Sequence, residues 1–166
     1  QGVFMSLWAD IDDYLRTELI AELGADGSYT TQVVKQVVVD DIMDFVGATA
    51  ANNYPLVIVR SSTASQAPGP HGGGSARVEN TYEYSIVGVL KATGQAQCKR
   101  DVQELRRRLR EFLKTRLALG GLMSTDDGER VQKVTWGRSL LEVWVNEKQP
   151  GTYFGVTALE FKVISI

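Results

Sequence analysis

The chain has 166 residues, of which 43% are hydrophobic, with one cysteine, one histidine and a net charge of −2. This composition predicts one folded domain with a full apolar core and excludes an internal disulfide or a cysteine-based metal cluster. No apolar run approaches the ~20 residues of a membrane span. The first residues lack the basic and apolar parts of a signal peptide, so we expect a soluble, unexported protein.

The first half of the chain predicts helix and strand in turn. Leucine and isoleucine at four-residue spacing predict an amphipathic helix over residues 6–23. The valine-rich residues 33–46 fit either one helix or a strand followed by a short helix, and the valine density favours the second interpretation. A wholly apolar strand follows over residues 55–59.

A segment rich in glycine, serine, alanine and proline, residues 61–76, separates that strand from the next and contains the only histidine, His71. Such a segment cannot bury enough apolar surface to offset the entropy lost on ordering, so we predict a mobile loop. It lacks the lysine spacing and the following helix of a phosphate-binding loop. Two alternatives stay open, a loop without a role and a loop ordered by a partner.

The second half predicts a strand, a helix and a hairpin. Alternating residues predict a strand over 78–90, and apolar residues at three- and four-residue spacing predict the clearest helix over 97–119, ended by a glycine pair. Strands over 130–146 and 153–166 are expected to pair as an antiparallel hairpin. Together these elements predict a single α+β domain with a mainly antiparallel sheet and helices packed on one face.

The first strand of that hairpin has two predicted features. Gly137 near its middle predicts a bulge or a change of facing. Period-two alternation groups four apolar side chains on one face: Val134, Trp136, Leu140 and Trp144.

Catalytic and metal-binding patterns are missing from the sequence. Neighbouring carboxylate pairs point away from each other on helices and strands, and one histidine cannot build a metal cluster. Cys98 begins a predicted helix without a histidine close in sequence, so we interpret it as structural. We therefore expect no enzyme activity, no cofactor and no bound metal.

Charge is distributed unevenly along the chain. Residues 1–50 hold nine acidic and two basic side chains, a net charge of −7, whereas residues 98–116 hold eight basic and three acidic ones, a net charge of +5. These segments can pair within one chain, or between copies in a head-to-tail contact that closes into a ring. The basic helix can also lie along nucleic-acid phosphates, although the overall pI of about 5.5 is not typical of that function.

The order of the elements resembles the tail-terminator (tail completion) proteins of long-tailed bacteriophages. The resemblance spans nearly the whole chain: the amino-terminal helix, the strand "PLVIVR", a long loop, the strand "VENTYEYSIVGVL", the helix "RDVQELRRRLREFL" and the hairpin "VTWGRSLLEVWVNE…TYFGVTALEFKVI". It implies a structural virion protein that forms a ring, usually a hexamer, which caps the tail tube, stops its polymerisation and provides the joining surface for the head connector. Assembly would take place in the cytoplasm of the host bacterium, and the protein would reside in the tail or neck of the virion.

The partners implied are further copies of the chain, the tail tube protein, the head–tail connector or neck protein and, in a contractile tail, the sheath protein. DNA would be met only as the passing genome, and no membrane is involved. The alternatives are another phage neck or head-completion protein, a nucleic-acid-binding domain that uses residues 98–116, and a small regulatory interaction domain.

Two sets of residues are the candidate contacts of such a ring. The first set comprises the subunit-interface candidates: Arg106, Arg107, Arg110, Lys114, Asp12, Asp13, Asp40 and Asp41. The second set comprises the candidates for contact with tube or connector: Pro68, His71, Gly73, Asp126, Asp127 and Arg130.

Overall fold

The computed structural model describes residues 7–24, 34, 36–39, 54–68 and 78–166. Four predicted contact residues, Asp40, Asp41, His71 and Gly73, lie outside these ranges, as does the short helix predicted after residue 39. The elements in chain order are α1 (Trp8–Leu23), β1 (Gln36–Val39), β2 (Leu56–Pro68), β3 (Val78–Thr93), α2 (Gln95–Lys114), a 3-10 turn (Leu119–Gly121), β4 (Val131–Val145) and β5 (Thr152–Ser165).

The strands form one mixed sheet in the order β1, β2, β3, β5, β4. β1 is parallel to β2, and the other neighbours are antiparallel. Both helices pack on the same face of the sheet, and the smaller apolar cluster around Ile58 and Val87 lies on the opposite face. The predicted α+β architecture is therefore confirmed, and β1 shows that the valine-rich segment is a strand at residues 36–39.

The main core lies between the two helices and the sheet. α1 packs against β1 and β2, whereas α2 crosses β3, β5 and β4. Each helix presents the apolar stripe that the sequence predicts. The buried side chains are Ile11, Leu15, Leu19 and Leu23 on α1, and Val102, Leu105, Leu109 and Phe112 on α2.

α2 lies close to the sheet because two strand residues beneath it carry no side chain. A Cβ atom at Gly88 would lie 2.8 Å from Leu105 Cδ2, and one at Gly155 would lie 2.8 Å from Val102 Cβ. Carbon atoms in ordinary contact are 3.5–4.0 Å apart. These two glycines therefore set the height of α2 above the sheet.

Strand β2 is longer than predicted. Residues 61–68 are paired with β3, from Ser61 opposite Tyr84 to Pro68 opposite Val78. The prediction of a loop is wrong for these residues, because the long strand β3 supplies backbone partners that override the weak strand propensity of a serine- and alanine-rich sequence. The rest of the predicted loop lies outside the described residues.

Helix α2 ends earlier than predicted. Its last residue is Lys114, and the glycine pair predicted to end it forms part of the following 3-10 turn. Thr115 Oγ1 and Arg116 Nη1 both donate to the carbonyl of Phe112, at 3.0 and 3.2 Å. These side chains satisfy a carbonyl that the helix leaves without an internal partner, so no glycine is needed at that point.

The bulge predicted near Gly137 is confirmed. Gly137 and Arg138 together oppose a single residue of β5. The extra residue shifts the alternation of faces by one position, so Val134 is buried in the main core whereas Leu140 and Trp144 are 45% and 47% exposed. The predicted grouping of Val134 with Leu140 and Trp144 is therefore wrong.

Candidate interaction surfaces

The face of helix α2 that points away from the sheet carries several basic side chains. Arg106, Arg110 and Lys114 follow one another at four-residue spacing, which places them on one face of the helix beside Arg107. We call these four residues the basic stripe. They line a shallow groove of about 360 Å3.

Most of the basic stripe has no partner in the described part of the chain. Arg107 and Arg108 both bind Glu104, with N–O distances of 2.6 and 3.0 Å. These contacts, and first of all the hydrogen bond from Arg107, lower the pKa of Glu104. The other three members of the stripe make no hydrogen bond or ion pair with a described residue. Their charge remains available to a second molecule.

Arg116, just beyond the end of α2, is used within the chain. Its guanidinium binds Glu18 at 3.2 Å and Glu22 at 3.0 Å, both on α1. It also lies 4.1 Å from the centre of the Phe112 ring. With only 14% of its side chain exposed, Arg116 joins the two helices. Pairing within one chain between the acidic first 50 residues and residues 98–116, which the sequence left open, is therefore present at Arg116.

A groove with acidic walls runs between α1 and the segment after the 3-10 turn. Asp10, Asp13 and Glu18 line it together with Tyr14 and the exposed Met123, and its volume is about 410 Å3. We call this set the acidic groove. Asp10 and Asp13 make no hydrogen bond or ion pair with a described residue, and no ion pair joins the groove to the basic stripe within one chain.

Asp12, predicted as an interface residue, faces a different way from Asp13. Tyr84 Oη lies 2.6 Å from Asp12 Oδ1, to which it donates, and 3.2 Å from the carbonyl of Trp8. Burial raises the pKa of Asp12, and burial together with the hydrogen bond to Asp12 raises the pKa of Tyr84. The hydrogen bond of Asp12 with Tyr84 therefore joins α1 to the sheet. Of this pair only Asp13 lines the groove.

The turn that carries Asp126, Asp127 and Arg130 is held by a buried carboxylate. Glu129, 6% exposed, accepts hydrogen bonds from Asn80 at 2.6 Å, from Tyr82 at 2.7 Å and from the hydroxyl of Ser165. Burial and the hydrogen bond to Glu129 raise the pKa of the Tyr82 hydroxyl. This network fixes the turn to the ends of β3 and β5.

Local contacts shape the same turn. The backbone N–H of Glu129 donates to Asp127 Oδ1 at 3.0 Å, and Gly128 has a φ of 76°, a conformation that favours glycine. Asp126 is exposed, and Arg130 Nη2 lies 3.5 Å from Met123 Sδ.

The structure brings this turn to the end of the β2–β3 hairpin. Gln66 of β2 donates to Asn80, which in turn donates to Glu129. Pro68, the last residue of β2, lies two positions further along the strand, opposite Val78. The two segments predicted separately as contacts for tube or connector therefore share one end of the sheet, as far as both are described.

The described residues hold no group of three or more histidine, cysteine, aspartate or glutamate side chains placed to bind a metal ion. Burial raises the pKa of the Cys98 thiol, which opposes formation of the reactive thiolate. Among the described helices, none has the length and apolar character required to cross a membrane.

No protein-family model matches the sequence, and no curated protein matches it with significant similarity. The function is therefore inferred from the surfaces themselves.

Sequence reasoning identified Asp13 as a candidate but missed Asp10, Glu18 and Glu129. Asp10 lies three residues before Asp13, so a helical projection of α1 would have placed the two on one face. Glu129 gave no such signal. Its burial depends on Asn80, Tyr82 and Ser165, which come from distant parts of the chain.

Proposed function

We propose that the chain is a structural virion protein that assembles into a ring, caps a phage tail tube, stops its polymerisation and provides the surface for joining the head. One observation carries the ring. Three cations of the basic stripe and two carboxylates of the acidic groove have no partner among the described residues, although their charges are opposite: Arg106, Arg110 and Lys114, and Asp10 and Asp13. The resemblance in element order supports the phage role.

The two surfaces suit a head-to-tail contact between copies. The stripe lies on the outer face of α2 and the groove lies along α1, so each copy has one surface of each sign. A contact between unlike surfaces repeats from copy to copy and closes into a ring when the rotation per copy is right. Met123, 47% exposed, supplies apolar area beside the carboxylates of the groove.

The end of the sheet is the proposed contact for tube or connector. The turn around Asp126 and Arg130 is exposed, yet Glu129 beneath it anchors the backbone to β3 and β5. A rigidly held, exposed turn loses little conformational entropy on binding, which favours recognition of a fixed partner.

The ring is tested by charge reversal of the stripe. The double variant Arg106→Glu, Arg110→Glu is expected to weaken self-association at low salt at least tenfold, as measured by sedimentation velocity. Its thermal midpoint should stay within about 2 °C of the unmodified chain, because neither arginine has a partner to lose. The matched control is Lys99→Glu, Arg100→Glu, which changes the net charge equally on the same helix but outside the stripe.

A complementary variant keeps the test sharp. Asp10→Lys, Asp13→Lys is expected to impair association alone and to restore it when combined with the reversed stripe. Undiminished association of the reversed stripe would overturn the proposed contact.

The role in the virion is tested by electron microscopy of particles from a phage with a nonsense codon in this gene. We expect overlong or ragged tails without heads. Tails of normal length attached to heads would overturn tail termination.

Nucleic-acid binding is the second candidate function, since Arg106 and Arg110, which have no partner among the described residues, also suit phosphates. Retention of the isolated chain on duplex DNA, steeply weakened by salt and lost in Arg106→Glu, Arg110→Glu, would favour this candidate. The acidic groove argues against nucleic-acid binding, because α1 lies on the same face of the sheet as α2 and its carboxylates repel a polyanion.

A further inference from the structure

Strand β4 is at the edge of the described sheet, and the residues that the structure describes place no strand beside most of its outer side. Near its start the edge is covered by other backbone. Arg130 forms an isolated antiparallel β-bridge with Met123, and the N–H of Val134 donates to the carbonyl of Leu117 at 2.7 Å. From Thr135 to Val145 the described residues supply no further strand.

The uncovered part of β4 is unusually apolar for an edge. Leu140, Trp144 and Val145 are 45%, 47% and 66% exposed. Proteins usually protect a long edge strand with charges or a cover, because its unpaired backbone groups pair readily with another strand. From the bulge to Val145 the edge carries only two charged side chains: Arg138, which binds Glu160 at 3.3 Å, and Glu142, which accepts from Trp144 Nε1 at 2.7 Å. Both are on the exposed surface, where a further partner can share them.

The direction of the backbone groups follows from one hydrogen bond. The hydroxyl of Thr157 on β5 donates to the carbonyl of Leu140 at 3.0 Å, so this carbonyl points into the sheet. N–H and C=O groups alternate in direction along an antiparallel strand. Ser139, Leu141 and Val143 therefore direct their N–H and C=O groups outward, where a further strand can bind them.

The sequence of this edge is complementary to itself. In an antiparallel pairing centred on Leu140, Leu140 opposes its own copy and Arg138 opposes Glu142, so a twofold axis creates two opposite-charge pairs. A pairing centred on Glu142 would bring two like charges together instead, and one centred on Leu141 would place Leu140 against Glu142.

We propose that β4 pairs with β4 of a second copy of the chain, antiparallel about a twofold axis at Leu140, so that one sheet continues across the two molecules. The two copies of Leu140 then face each other without mutual backbone hydrogen bonds, the kind of pair in which side chains approach most closely. Ser139 of each copy exchanges backbone hydrogen bonds with Leu141 of the other. This contact is independent of the proposed ring, because it uses neither the basic stripe nor the acidic groove.

Reversal and exchange of the charges test the register. In a background with Arg106→Glu, Arg110→Glu and Glu160→Gln, where neither the stripe nor the ion pair of Arg138 with Glu160 contributes, Arg138→Glu and Glu142→Arg are each expected to weaken the dimer about tenfold or more in sedimentation equilibrium. The double variant Arg138→Glu, Glu142→Arg restores both opposite-charge pairs and is expected to return the dissociation constant to within about threefold of the starting value.

Lys133→Glu, an exposed change on the covered part of the same strand, is the control and should leave the dimer unaffected. A monomer at all concentrations, or a double variant as weak as either single one, would overturn the proposal.

A crosslink gives a second, independent measurement. Opposed residues of a pair without mutual hydrogen bonds have Cα atoms about 4.5 Å apart, within the range that a disulfide spans. Leu140→Cys is therefore expected to form a covalent dimer under mild oxidation. Trp144→Cys, on the same face and similarly exposed, lies far from its symmetry mate and should not; equal crosslinking at both positions would indicate random collision and would overturn the register.

Discussion

Arg110 and Arg116 lie close together in the sequence, yet their charges serve different purposes. Arg116 is nearly buried and binds Glu18 and Glu22, whereas Arg110 is exposed and has no partner among the described residues. The difference arises from position relative to α1. The residues just after α2 lie within hydrogen-bond distance of the carboxylates of α1. The outer face of α2 points away from α1.

The comparison teaches that one charge pattern in the sequence can divide into internal and external parts. The internal part, Arg116, stabilises the helical layer. The external part, Arg106, Arg110 and Lys114 of the basic stripe, adds little to stability and is available for association. Variants of internal charges should therefore change the free energy of unfolding, and variants of external charges should change only self-association.

The largest effect on the internal side is expected at Glu129. Glu129→Ala removes a carboxylate that accepts three hydrogen bonds and leaves Asn80, Tyr82 and Ser165 with buried polar atoms. We expect a loss of about 3 kcal/mol of unfolding free energy, measured in urea. Asp126→Ala, an exposed change in the same turn, should cost less than about 0.5 kcal/mol. Equal effects at both positions would mean that the turn is not held by Glu129.

A smaller effect is expected from the comparison of the two arginines. Arg116→Met removes both ion pairs to α1 and the contact of the guanidinium with the Phe112 ring. We expect a loss of about 1.5 kcal/mol, because the carboxylates left behind are only partly buried. Arg110→Met should change stability by less than about 0.5 kcal/mol. If the two variants lose the same stability, the division into internal and external charges does not hold.

The smallest effect is expected from Asp12 as the pH changes. Since burial raises the pKa of Asp12, the folded chain keeps a proton above pH 4 that the unfolded chain has released. The free energy of unfolding therefore falls as pH rises through the window between the ordinary and the raised pKa. Asp12→Asn should remove this slope, while its amide oxygen still accepts from Tyr84.

Asp10→Asn, at an exposed position of the same helix, is the control, and urea unfolding between pH 4 and 7 is the measurement. An unchanged slope in Asp12→Asn would show that another group titrates in this window.

The fold was predictable where local pattern and tertiary packing agree. The apolar spacing of α2 and the alternation of Tyr82, Tyr84 and Ile86 on β3 correctly identify the residues that face the core. The prediction was wrong for residues 61–68, whose composition favours a loop, because their strand structure comes from a partner strand distant in sequence.

The candidate surfaces were predictable only in part. Charge counting correctly identified the outer face of α2 and the acidic character of α1. It could not separate Arg116 from Arg110, or Asp12 from Asp13, because the distinction depends on which side chains the packed helices bring within hydrogen-bond distance. The phage role and the ring itself stay predictions.

The two glycines beneath α2 give this molecule a mechanical property. Leu105 contacts Gly88 and Val102 contacts Gly155, so the distance between the sheet and the first half of α2 is set at these two points. Lys114 lies nine residues beyond Leu105, which is about 14 Å along the helix axis at 1.5 Å per residue. A methyl group added at Gly88 that tilted the helix by about 5° would displace the far charges by about 1 Å, without altering any charge.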